Sequence, residues 1–323
     1  MPRILPPSLA WPPRPLCLSR LLPAGLGLLL ALLPSAQARA EGVIERVART
    51  GQLTLVGVPN QPPLLALGAQ GQPEGYALAV AEQIEGALQE AVGRPVKLRF
   101  EAVGDPAEME RRIATGQADL ACGTAFTWER DMQLDYSLPI GLSGLRLLAP
   151  AGRFDGTVAS LKGRRIGVLR PSLAASALQG LQPQATAVPF PSLAAAVAAL
   201  RAGTVQGVFG DSLQLAGLAR SQRAVGLTLL PEEPFDRYAI ACLVPENDSA
   251  FRNLVNLAIA RLLQAYLDGN PQAVAAINRW IGPESPLGVP ADRIRAYFET
   301  VLLGVEPIRP LPASAPVGSG KGG

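Results

Sequence analysis

Apolar runs and amphipathic stretches alternate along the chain, and the alternation occurs twice. Leu53-Thr54-Leu55-Val56-Gly57-Val58 predicts a first strand. Pro59, Pro62 and Pro63 stop it, because proline cannot donate to a sheet ladder. Leu78, Ala81, Ile84, Leu88 and Val92 recur at helical spacing, and Gly93 stands where a helix closes. Val96 to Glu101 alternates apolar and charged residues, the pattern of a strand with one wet face. Pro106 to Thr115 predicts a charged helix ended by Gly116, and Ala118 to Cys122 a buried strand running into the small residues Gly123, Thr124 and Ala125. Thr127 then lies three residues before Arg130, the spacing of a helix N-cap, which places the arginine in a first turn beside the strand's end. The order β-α-β-α-β implies a mostly parallel sheet covered by helices.

The second half repeats the design. Ile166-Gly167-Val168-Leu169 predicts a strand, Leu173 to Leu181 a small-residue helix, Ala185 to Phe190 a strand and Leu193 to Arg201 a helix closed by Gly203. Gln206 to Asp211 is a further strand ending in a turn. Helix, glycine and strand match between Ile113–Gly123 and Leu200–Gly210 in pattern rather than identity. This implies two lobes of related design. Leu145 to Pro150 and Tyr238 to Pro245 fit two strands crossing between them. A long amphipathic helix follows through Phe251, Leu254, Leu257 and Leu262, then a shorter one over Ala273 to Trp280 and a last one over Ile294 to Leu303. The expected division is residues 1–40 as a leader, 41–148 and 239–303 as lobe 1, 149–238 as lobe 2, and 304–323 as a tail too poor in large apolar residues to order itself.

The leader changes the reading of charge. The formal net charge is +3, but Arg3, Arg14, Arg20 and Arg39 stand among the first forty residues with no acid. Setting them aside leaves 25 basic against 26 acidic residues, a net charge of −1 and no electrostatic footprint for nucleic acid. Those arginines flank Leu21 to Leu33, an apolar run short for a bilayer span, which is followed by Ala36-Gln37-Ala38 and Ala38-Arg39-Ala40. This is the pattern of a cleaved secretory signal, with cleavage near Ala40 and a periplasmic or secreted product, the alternative being an uncleaved anchor. Cys17 precedes the apolar run and is not a lipidation site. Two cysteines remain, Cys122 and Cys242; in an oxidising compartment they form either a disulfide or two buried thiols. The chain contains no histidine, which excludes Ser-His-Asp and Cys-His nucleophiles and His-bearing zinc sites. No cofactor and no metal are expected.

Arg130 carries the first chemical expectation. At the carboxyl end of a parallel strand, where α/β sheets place ligands, a guanidinium can grip a carboxylate through two parallel hydrogen bonds. The alternative is an ordinary ion pair with Asp131 or Asp135. The chain resembles the family-3 periplasmic solute-binding proteins of amino-acid importers from about Val43 to Leu303. The resemblance rests on Thr127-Trp128-Glu129-Arg130, Asp135-Tyr136-Ser137, Leu161-Lys162-Gly163-Arg164-Arg165-Ile166-Gly167-Val168, Gly210-Asp211 and Gly75-Tyr76. Cys122-Gly123 with the Thr127–Arg130 segment looks most like the cyanobacterial Grr-type orphan substrate-binding-like proteins, which are encoded near secreted glycine-rich peptides.

This resemblance implies a two-lobed Venus-flytrap α/β fold. It also implies a monomer that takes an amino-acid-like zwitterion or carboxylate by hinge closure, for delivery to an ABC permease or a sensor. Arg130 would take the α-carboxylate, Asp211 the α-ammonium, and Ser172 of Pro171-Ser172 would help hold the carboxylate. Gly123, Thr124 and Gln61 would line the cleft. The departures are Gln61 where the family stacks an aromatic ring, Ala77 in place of an acid, and Gly123 and Ala125 in place of serines. Arg170 stands at a position that is normally neutral, where it could accept a second acidic group. Trp128 is expected to pack within its lobe, the alternative being the cleft wall. Two other functions stay open: an orphan protein that engages a secreted peptide or protein, and an enzyme like cyclohexadienyl dehydratase. Such an enzyme would need Glu129, Asp131 or Glu233 as a cleft acid.

Overall fold

A computed structural model describes residues 41–59, 61–222 and 225–305, so the expected leader and nearly all of the expected tail lie outside the described residues. The elements follow the predicted alternation closely. They are α1 (Val43–Thr50), β1 (Gln52–Gly57), β2 (Ala66–Leu67), β3 (Pro73–Glu74), α2 (Tyr76–Val92), β4 (Lys97–Ala102), α3 (Pro106–Ala114), β5 (Ala121–Ala125) and α4 (Trp128–Asp131). There follow β6 (Leu134–Tyr136), β7 (Gly141–Pro150), β8 (Arg165–Leu169), α5 (Leu173–Leu181), β9 (Thr186–Phe190), α6 (Leu193–Arg201), β10 (Gly207–Asp211) and α7 (Ser212–Ser221). The described chain closes with β11 (Leu227–Leu230), β12 (Asp236–Pro245), α8 (Ser249–Leu267), α9 (Pro271–Asn278) and α10 (Ala291–Leu303). Helix starts are set by local chemistry. Asp105, Thr127, Ser172, Ser192, Asp211 and Asp248 each accept, through the side chain, the backbone N–H three residues on.

The described strands form a parallel pair, β1–β4, an antiparallel pair, β2–β3, and one mixed sheet of eight strands that runs through both lobes. In one lobe β1 pairs with β4 in parallel and meets β5 through a parallel bridge between Leu55 and Leu120. In the other, β8 lies parallel between β9 and β10. The antiparallel content comes from the two crossing strands. β7 runs against β10 and β11, and β12 runs against β5 and β6. The two crossers pair with each other from Asp236↔Leu145 to Ile240↔Gly141. Two continuous strands therefore connect the lobes, the construction a hinge requires.

Each lobe buries its own core. Around β1 and β5, α2 contributes Tyr76, Val80, Ile84 and Leu88, and α8 contributes Phe251, Val255, Ile259 and Leu263. Around β8 and β10, the strand residues Ile166, Val168 and Phe209 pack on α5, and α6 buries Val197 and Leu200 on the opposite face. β7 serves both faces by simple alternation, Leu147 on one side and Leu148 on the other. One buried charge braces the first lobe: the fully buried Asp119 accepts from the Arg46 guanidinium of α1 and, at 2.7 Å, from Thr54 N–H of β1.

Candidate functional site

The carboxyl ends of β5 and β10 face one cavity of about 140 Å³, reached from both lobes. Its walls include Gln61, Gly123, Thr124, Ala125 and Arg130 from one lobe and Ser172, Asp211 and Gln214 from the other. Of the residues expected at the cleft, only Arg170 is absent from the lining; it is exposed, between Leu169 and Pro171, which do line it. Trp128 is also corrected. It is not buried in the lobe and does not line the cleft, but stands 73% exposed in a T-shaped contact with Phe126, the ring centroids 5.0 Å apart.

The local geometry of β5 follows from two residues. Cys122 lies opposite Cys242 of β12 and is joined to it by a disulfide, the first of the two alternatives left open by the sequence. Past that point the register shifts: Thr124 pairs with Ala241, so Gly123 has no partner. Gly123 has φ +82°, which favours glycine, and a Cβ there would sit 3.1 Å from that of Ala77. Gly123 is therefore a glycine bulge, and such bulges bend a strand and re-aim the residues beyond them. Beyond the bulge, Ala125 and then Arg130 of α4 line the cavity. The Thr124 hydroxyl donates back to Ala241 O at 3.3 Å, so it points at the neighbouring strand.

Thr127 caps α4 as expected, accepting from Arg130 N–H at 3.3 Å. The ion-pair partner of Arg130 is neither Asp131 nor Asp135. Arg130 Nε donates to Glu110 Oε1 of α3 at 2.6 Å, and Nη1 donates to Ala125 O at 3.0 Å. Asp135 pairs instead with Arg252 of α8. The guanidinium is thus fixed on two sides, with the remaining N–H groups of its far end left for the cavity it lines.

Asp211 closes β10 and caps α7, accepting from Gln214 N–H at 3.0 Å. It is a helix cap and a cleft-lining carboxylate at once. Its other oxygen accepts from Ser143 Oγ and from Tyr238 OH, each at 2.7 Å. These two partners come from β7 and β12, so both crossing strands hold this carboxylate. Burial pushes the Asp211 carboxyl above its ordinary range, and the bonds from Tyr238, Gln214 and Ser143 offset that only in part. Burial likewise raises the Tyr238 phenol, and the neighbouring Asp211 charge adds to it, so the hydroxyl stays protonated and donating. The Ser172 hydroxyl is used locally: it donates to Leu169 O and accepts from Ala175 N–H. What Ser172 brings to the cavity is the start of α5, where Leu173 and Ala174 also line the wall and first-turn amides lack intrahelical partners.

Sequence reasoning missed Glu110, Ser143 and Tyr238. Tyr238 stood inside a strand already read as a crosser, and its alternation gave the face but not the partner. Glu110 lay on a charged helix twenty residues from Arg130, where only the tertiary fold reveals the pairing. Glu129 and Asp131 flank Arg130, and the exposed Glu233 pairs with Arg237; none of the three lines the cavity.

Two α/β lobes joined by two crossing strands, with a cleft at the strand ends, define the type II periplasmic-binding-protein architecture. The chain belongs to the bacterial extracellular solute-binding proteins, family 3, whose model matches residues 53–281. Solved structures agree in fold. The cysteine-binding protein of Campylobacter jejuni aligns with TM-score 0.66 and 18% identity over 78% of this chain and 97% of its own. The solute receptor for L-cysteine of Neisseria gonorrhoeae gives 0.62 and 19% over 74% and 93%. An ancestral amino-acid-binding protein, a precursor of cyclohexadienyl dehydratase, gives 0.62 and 17% over 75% and 100%. No curated protein sequence matches the chain significantly.

Proposed function

We propose that this chain is a periplasmic or secreted receptor that captures an amino-acid-like zwitterion between its lobes and presents the closed form to an importer or sensor. One observation carries the reading: Arg130 and Asp211 stand on different lobes and line the same cavity. A cationic fork on one side and a carboxylate on the other satisfy both ends of a zwitterion only when the lobes meet, so the ligand's differential affinity for the closed form drives closure. The far end of Arg130 and the first-turn amides of α5 take the ligand carboxylate, and Asp211 takes its ammonium. Tyr238 and Ser143 tie that contact to the crossing strands. Gly123, Thr124 and Gln61 shape the wall, and the disulfide holds β5 in register with β12. The family is extracellular, and the leader pattern before residue 41 supports export with cleavage near Ala40.

A binding rather than catalytic role is supported by the cavity lining, which includes none of Glu129, Asp131 and Glu233, the proton donors considered from sequence. The reading of a macromolecular partner draws on one feature, the exposed side chains of Trp128, which opens α4, and Met132, which follows its end. The test is thermal unfolding of the purified protein against amino acids, keto acids and dipeptides. A ligand at about 100 times its Kd stabilises the native state by about 2.7 kcal/mol. A shift confined to amino acids supports the proposal; silence throughout the panel, or a shift with dipeptides alone, rejects it.

A further inference from the structure

Resting on that reading of the site, we infer that the ligand is an amino acid with a short, uncharged, apolar side chain, and that arginine, lysine, aspartate and glutamate are excluded. The charges on the cavity wall are those of Arg130 and Asp211, and a zwitterion's own carboxylate and ammonium engage both. Among the described residues, nothing else charged lines the wall to meet a side chain. Arg170, the one further cation considered for that role, is exposed and outside the lining. Glu110 is bound to Arg130, so it neutralises the cation locally and opposes a second anionic group on the ligand. The rest of the described lining is mostly aliphatic, with Leu64, Leu65, Met109, Leu169, Leu193 and Ile240 standing beside the uncharged amides of Gln61 and Gln214 and the Tyr238 hydroxyl. A charged group set against such a wall loses its hydration and finds no partner, whereas methylenes gain from burial.

Size points the same way. The cavity of about 140 Å³ is well under the roughly 300–1,000 Å³ of pockets that take drug-sized ligands. Several of its polar groups are also already bonded within the protein. Asp211 holds three hydrogen bonds within the protein, and the Thr124 and Ser172 hydroxyls are bonded to main-chain carbonyls. Selection among uncharged ligands therefore falls to buried methylenes, with affinity rising about fourfold per methylene until the space is filled.

The experiment is isothermal titration of the purified full chain with glycine, L-alanine, L-valine, L-leucine, L-arginine and L-glutamate at one pH and ionic strength. The expected result is measurable binding of alanine, valine or leucine, with the best of them at least 100-fold tighter than arginine and glutamate. Comparable or tighter binding of arginine or glutamate overturns the inference while leaving an amino-acid receptor in place. Failure of all six to bind, when another amino acid gives a thermal shift, overturns the inference alone; failure with no shift from any amino acid overturns the receptor reading as well.

Discussion

Replacing both Cys122 and Cys242 by alanine tests how the cleft strand is held to the crossing strand. The two residues are directly opposed on β5 and β12, both are buried, and they lie 120 residues apart in sequence. Closing a loop of that length removes about 16 cal/mol/K of chain entropy from the unfolded state, or about 5 kcal/mol at 25 °C. The alanines keep each site apolar, so packing changes little beside that term. With a urea m-value of about 3 kcal/mol/M, the unfolding midpoint should fall by about 1.6 M. Far-UV circular dichroism of the oxidised protein and the double variant reads this directly. The wild-type protein under reducing conditions should follow the variant. Coincident midpoints for variant and oxidised protein would show that the cross-link does not constrain the unfolded chain.

Asp211→Asn should keep the α7 cap, since asparagine caps as well as aspartate, yet abolish amino-acid binding. The folded-state pKa of Asp211 is raised, so its ionised form opposes folding, and that cost is absent below the unfolded value near pH 3.9 and complete above the raised folded value. The stability advantage of the variant should therefore grow as pH rises from 4 to 8 in urea titrations; a constant difference would contradict it. Ligand affinity of the wild-type protein should fall as pH drops through the same raised pKa, because the ammonium then meets a neutral acid. Asp119→Ala strips Thr54 N–H of its buried acceptor and leaves Arg46 unpaired. About 3 kcal/mol of destabilisation is expected, at the low end for a broken buried pair because Arg46 remains partly exposed, and an unchanged melting temperature would contradict it.

The regular elements were legible because their periodicities were clean and their ends were marked. α5 and α6 begin behind Ser172 and Ser192 and span the predicted ranges, and α2 closes at Gly93 with φ +67°. Two helices escaped. α1 buries only Val43 and Val47, with Ile44 half-buried beside them, amid charged residues, and α7 follows an aspartate that had been read as the end of a strand. Of the cleft residues, the strand ends at Gly123 and Asp211 and the cap at Thr127 follow from local chemistry, which explains why Arg130 could be placed in advance. The outward turn of Trp128 and Arg170 and the pairing of Arg130 with Glu110 are tertiary outcomes. A side chain two positions from a cap has no local preference for core, cleft or solvent, and α3 approaches α4 only in the folded lobe.

The most direct test of capture between Arg130 and Asp211 is calorimetric titration of the wild-type protein and Arg130→Ala with the same uncharged L-amino acid. The variant loses both the Glu110 pair and the ligand's fork, and it removes no core side chain. A clear binding isotherm is expected for the wild type. For the variant the expectation is no detectable heat together with a cooperative melt, a loss of at least 100-fold, or about 2.7 kcal/mol. Equal affinity in the two proteins would place the ligand elsewhere and contradict capture between the two residues.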